Sequence, residues 1–137
     1  MADPRHRLGQ VAETAVADWL TAMGWRVIAR RSRVPGGGEL DLVALDPAST
    51  LVGIEVRARR SGRTGIGTES VDGRKAAGMG RTLSAVAASF GVPHGGLRLD
   101  LVSVMPEPEA PGLWRLRRFP GVPAQRGLSR RGGAPAV

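Results

Sequence analysis

Apolar and polar positions along this chain fall into two periods. From Leu8 to Met23 the apolar residues are Leu8, Val11, Ala12, Ala15, Val16, Trp19, Leu20 and Met23. That three-and-four spacing predicts a helix with a broad apolar face, and Gly24 supplies a stop. Trp25 to Arg33 reads as a first strand. Glu39 to Leu45 and Leu51 to Ala58 read as two apolar strands of a hairpin. Asp46-Pro47 opens the turn between them, because proline fixes φ and pushes the residue before it out of the helical region. A second helix is predicted from Val71 to Phe90, with Val71, Met79, Leu83, Val86, Ala87 and Phe90 on its apolar side. Gly73, Gly78 and Gly80 lower the helix propensity of its first half. After the break at Gly91 to Gly96, Leu97 to Met105 alternates into a strand. Leu113 to Phe119 alternates again, with Trp114, Leu116 and Phe119 set against Arg115 and Arg117, as an edge strand would.

The order α-β-β-β-α-β-β predicts an α/β domain with a mixed central sheet flanked by helices. Residues 1–7 read as a loose lead, 8–119 as the domain and 120–137 as a disordered basic tail with little to bury.

The charges inside the hairpin stand out. Glu39, Asp41 and Glu55 interrupt runs that otherwise look buried, and a lone buried carboxylate is costly. Glu39 and Asp41 are two apart and share one face of their strand, as do Glu55 and Arg57 on the next. Pairing around the turn brings Asp41 near Glu55, with Arg57 beside them. Two such carboxylates are hard ligands suited to Mg²⁺ or Mn²⁺, and a cation on the same face can hold a phosphate. A solvated hairpin face with charges paired across strands is the competing reading. Glu13 sits at the edge of the first helix's apolar stripe, either solvated or leaning over the sheet.

At 137 residues the chain is one domain in length, and with no cysteine it has neither a disulfide framework nor a Cys-based zinc site. The polar N-terminus and the lack of a long apolar run set the expectation of a soluble cytoplasmic protein without a membrane segment. A net charge of +8 points to a polyanionic partner. Nearly all the positive charge is arginine, with Lys75 the only lysine, although GC-rich coding produces the same bias. Arg59 to Ser70 is basic and glycine-rich, either a phosphate-contacting loop or a solvated one. The glycines at 36–38 do not form a P-loop, since no Gly-Lys-Ser/Thr follows. The sparse aromatics argue against a base-stacking platform.

Several ordered motifs carry a family resemblance. They are Gly9, Glu13 and Ala17; Gly38-Glu39-Leu40-Asp41-Leu42; Ile54-Glu55-Val56-Arg57-Ala58-Arg59; Val71 with Lys75; and Arg98-Leu99-Asp100-Leu101-Val102. Over about Leu8 to Met105 the chain resembles the YraN-like family, which is similar to the PD-(D/E)xK endonucleases and to Holliday-junction resolvases. The resemblance implies a restriction-endonuclease-like fold and metal-dependent hydrolysis of nucleic-acid phosphodiesters, with branched or single-stranded DNA as substrate. It makes Asp41, Glu55 and Arg57 the catalytic set and Glu13, Asp41 and Glu55 the ligands of Mg²⁺ or Mn²⁺. Arg33, Arg59, Arg60, Arg63 and Lys75 would contact nucleic acid, and resolvase-like pairing would make a homodimer. The chain departs from the nuclease motif at its last member, where lysine is replaced by Arg57. A guanidinium stays protonated and cannot serve as a general base. That leaves a catalytically weakened binding module as the alternative, with Lys75 the one lysine available to take over the role. Asp100 reads as the structural partner of Arg98 or another arginine.

Overall fold

The computed structural model describes residues 4–59 and 71–122. Helix α1 (Pro4–Ala22) leads into strands β1 (Arg26–Ser32), β2 (Leu40–Leu45) and β3 (Thr50–Ala58), followed by helix α2 (Gly73–Phe90) and strands β4 (Gly96–Pro106) and β5 (Trp114–Pro120). The strands form one sheet in chain order, antiparallel except for the parallel pair β3–β4 that α2 connects. This is the predicted mixed α/β architecture.

The period of two along the strands divides the core between the sheet faces. Leu42, Ala44, Val52, Ile54, Val102 and Val104 pack with Val16 and Leu20 of α1. Val43, Leu51, Leu99 and Leu101 pack with Met79, Leu83 and Val86 of α2. Each fully buried aliphatic side chain contributes roughly 1.5–3 kcal/mol, so the two layers fix both helices to the sheet. Trp25 is buried, while Trp19 and Trp114 lie against the α1-side core.

Four expectations are corrected. Helix α1 starts at Pro4, so residues 4–7 are helical rather than loose. Val11, Met23 and Phe90, assigned to apolar faces, are exposed. Phe119 packs on the α2 side, opposite Trp114, because the two differ by an odd number of residues in an alternating strand. Pro120 closes β5 and Val122 is buried, its N–H donating to Leu99 O at 2.8 Å. Order thus extends into the expected tail, whose remainder, 123–137, lies outside the described residues.

Two polar devices hold the framework. In the β2–β3 turn, Asp46 Oδ1 accepts the N–H groups of Ala48 and Thr50, each at 2.9 Å. Beside it Arg98 bridges two acids, donating from Nη1 to Asp46 Oδ2 at 3.2 Å and from Nε to Asp100 Oδ1 at 2.7 Å. Asp100 is fully buried and also accepts from Arg118 Nη1 at 2.9 Å and from the Gly121 N–H at 3.1 Å. The expected structural pairing of Asp100 thus involves two arginines and fastens the end of β5.

Removing this buried carboxylate strands two part-buried guanidiniums. Asp100→Ala is expected to lower stability by about 3 kcal/mol, measured by urea unfolding. An unchanged midpoint would show that solvent compensates both arginines.

Candidate functional site

The site lies where β2 parts from β3. Their ladder runs from Leu45↔Leu51 to Leu42↔Ile54 and stops there, while β3 stays paired with β4 to Ala58. Beyond the last pair the β2 backbone no longer satisfies β3. The Val56 N–H instead donates to Asp41 Oδ2 at 2.7 Å. Asp41 therefore completes the sheet with its side chain, next to Glu55.

A cleft of about 380 Å³ opens over this fork. Asp41 and Glu55 line it together with Glu39, the loop at Gly36–Gly38, and Arg33, Arg74, Lys75, Gly78 and Arg81. The loop is tied to α2 backbone to backbone, the Gly38 N–H donating to Gly78 O at 2.8 Å. A Cβ on Gly38 would lie 3.1 Å from Met79 N, and one on Gly78 would lie 3.1 Å from Gly38 N. Glycine at both places permits this approach. Thr82 Oγ1 donates to Gly38 O and Arg81 Nε to Gly36 O. Asp72 caps α2 by accepting the Lys75 N–H at 2.9 Å, which fixes the helix start from which Lys75 reaches the site.

The carboxylates of the site have different surroundings. Glu55 Oε2 accepts from Lys75 Nζ at 2.7 Å and has Arg57 Nη2 at 3.6 Å. Glu13 Oε1 accepts from Arg31 Nε at 3.2 Å. Asp41 is pushed up to about 7 from 3.8, chiefly by burial. The Val56 hydrogen bond opposes the shift, and the charges of Glu55, Glu13 and Glu39 add to it. Glu13 thus belongs to the same electrostatic neighbourhood while being held by Arg31. Among the described residues no three acidic or imidazole groups form a ready-made metal cage. Asp41 and Glu55 nonetheless fit a hydrated divalent ion, because they are adjacent oxygen donors whose mutual repulsion such an ion would relieve.

The chain matches the model of the uncharacterised protein family UPF0102 over residues 12–104. It belongs to that family. A UPF0102 protein of Symbiobacterium thermophilum is 40% identical over 103 residues, covering 75% of this chain and 86% of the relative. One from Moorella thermoacetica is 39% identical over 104 residues, covering 76% and 85%. One from Corynebacterium efficiens is 37% identical over 123 residues, covering 89% and 96%. The family match takes in the fork, both walls of the cleft and the strand that carries Asp100.

Of the residues singled out from the sequence, Asp41, Glu55, Arg33 and Lys75 line one cleft. Arg57 pairs with Glu55 from outside that lining. Arg59 is also outside it, with its main-chain N–H donating to Val104 O at 2.8 Å. Arg60 and Arg63 lie outside the described residues. Sequence reasoning passed over Arg74 and Arg81. Their signal was the seven-residue spacing that puts them on one helix face with Gly78 between. Among the described residues no helix is long and apolar enough to cross a membrane.

The folded chain binds the Asp41 proton more tightly than the unfolded chain does. The stability linked to this group is therefore full below pH 3.8 and is lost as pH rises through about 7. Asp41→Asn keeps an acceptor for the Val56 N–H and removes the titration. The variant is expected to match the native chain in urea unfolding at pH 5 and to exceed it at pH 8. Equal pH profiles would mean that Asp41 ionises freely in the fold.

Proposed function

We propose that this chain is a metal-dependent phosphodiesterase acting on nucleic acid, with DNA as its substrate. One observation carries the reading. In a chain of net charge +8, the half-buried Asp41 and Glu55 line one cleft together with the exposed Arg33, Arg74, Lys75 and Arg81. A structural ion pair needs no cleft, and a plain phosphate-binding surface gains nothing from acids at its centre. Half-buried acids among exposed cations suit a site that handles a phosphodiester with a divalent ion.

Asp41 and Glu55 would hold Mg²⁺ or Mn²⁺, which when bound supplies activation of water and neutralisation of charge on the phosphate. The chain's own residues supply the rest. The Val56 N–H holds the Asp41 carboxylate in place, and Gly36–Gly38 lets backbone line the cleft close to α2. Lys75, which reaches Glu55 from α2, would orient a phosphate oxygen or water as the motif lysine would from the strand. Arg57 supplies a second positive charge beside Glu55. The ion pairs on Glu55 favour a second reading, a nucleic-acid-binding module in which Lys75 and Arg57 have taken the place of the metal ion.

The deciding experiment is cleavage of labelled duplex, single-stranded and four-way-junction DNA in Mg²⁺ and Mn²⁺. The native chain is expected to cleave at least one of them. Asp41→Ala should reduce the rate by about 100-fold or more, and Lys75→Gln by about 10-fold or more. Arg57→Lys should retain activity. Binding without cleavage by the native chain in either ion would favour the binding module. Cleavage that appears only in Arg57→Lys would mean that the arginine has silenced an intact site.

A further inference from the structure

Arg33, Arg74 and Arg81 line the same cleft as Asp41 and Glu55. Several arginines elsewhere in the fold are tied to acids: Arg31 to Glu13, Arg98 and Arg118 to Asp100, and Arg115 to Glu107. Among the described residues Arg33, Arg74 and Arg81 form no such ion pair. They share the cleft with Lys75 and with Glu39, Asp41 and Glu55, and among the described residues only Lys75 of these four cations is paired with one of those acids, which leaves the three guanidiniums open to an anionic ligand.

Their arrangement is linear. Arg74 and Arg81 are seven residues apart on α2, two turns along one face, about 10 Å at 1.5 Å per residue. Gly78 sits between them, so no side chain interrupts the row. Its backbone rests on Gly38, and a Cβ there would come within 3.6 Å of Arg81 Nη2. Arg81 is fixed as well, because its Nε–H donates to Gly36 O at 2.8 Å. Four terminal N–H groups remain for another acceptor. Arg33 lines the cleft from the segment just after β1. A single phosphate cannot make full use of three guanidiniums spread along two helical turns, whereas successive phosphates of a polymer can. Among the described residues the cleft has no aromatic side chain, so nothing there stacks on bases.

The geometry points to a backbone track: one strand of nucleic acid runs along α2, its phosphates held by Arg74, Arg81 and Arg33, irrespective of base sequence. This rests on the nucleic-acid reading of the site but not on cleavage, so it is tested without metal. Fluorescein-labelled oligo(dT) of twenty nucleotides is titrated in EDTA, by anisotropy, between 50 and 200 mM NaCl. The proteins are the native chain, Arg74→Gln, Arg81→Gln, Arg33→Gln and Arg26→Gln. Arg26 pairs with Leu45, at the opposite end of the β1–β2 ladder from the fork, and serves as a charge-matched control. Circular dichroism melts confirm that each variant folds, and Arg74→Gln leaves the Arg81–Gly36 tie intact.

Each cleft variant is expected to flatten the slope of log affinity against log salt by about 0.7, the share of one single-strand phosphate contact. The same change should appear with oligo(dA), and Arg26→Gln should keep the native slope. Native binding with cleft variants indistinguishable from Arg26→Gln would overturn the track while leaving the polyanion reading intact. Displacement of oligo(dT) by inorganic phosphate at equal phosphate concentration would also overturn it, by making the cleft a single-anion site. Failure of the native chain to bind any oligonucleotide at 50 mM NaCl would remove both the track and the proposed function.

Discussion

The register between β2 and β3 is the constraint on which the site depends. Leu42 opposite Ile54 sends both side chains into the α1-side core and leaves Asp41 and Glu55 together on the other face. A slip of β2 by one residue would move Asp41 to the α1-side core and Leu42 to the other face, away from Glu55 and Val16 respectively. Apolar burial on both faces forbids that slip. The core therefore selects the geometry of the charged site without touching it. The turn reinforces the choice, since Asp46 closes it through two main-chain hydrogen bonds and is itself gripped by Arg98.

The same register leaves a defect, and Asp41 occupies it. Where β2 diverges, the Val56 N–H needs an acceptor, and a side chain provides what a backbone carbonyl would otherwise give. This stabilises the sheet end but holds a carboxyl group in a half-buried place near three other acids. Glu55 and Glu13 are balanced by basic partners. For Asp41 a single main-chain hydrogen bond works against burial and repulsion, and the proton affinity rises. A site built this way favours whatever brings positive charge to Asp41.

Much of this was legible in the chain. The alternating strands gave the paired carboxylates, because period two is strict and the turn at Asp46-Pro47 limits the register. The helix faces were read less well. Val11, Met23 and Phe90 fit a helical stripe, yet helix ends and edges overhang the sheet and stay wet. Arg74 and Arg81 were passed over because charged residues on an amphipathic helix look like its solvent face. The packing of Gly78 on Gly38 helps bring that face over the fork. Val122 was assigned to a tail because one valine among prolines and glycines carries no periodic signal, while its hydrogen bond to Leu99 is a tertiary fact.

The contrast between Arg57 and Lys75 follows from the elements that carry them. Arg57 lies two residues beyond Glu55 on β3, so it shares the face but is displaced along the strand by about 7 Å. Lys75 belongs to the first turn of α2, above the sheet, and its amine descends onto Glu55. Lys75 lines the cleft, whereas Arg57 meets Glu55 from outside that lining. The strand position is constrained by the pleat and by the parallel ladder to β4. The helix position is set by the Asp72 cap and by the packing of α2 on the sheet, while a flexible four-carbon stem carries the amine to Glu55. Lys75 and Arg57 thus approach the same Glu55 oxygen from two different elements, the amine at 2.7 Å from the helix and the guanidinium at 3.6 Å from the strand.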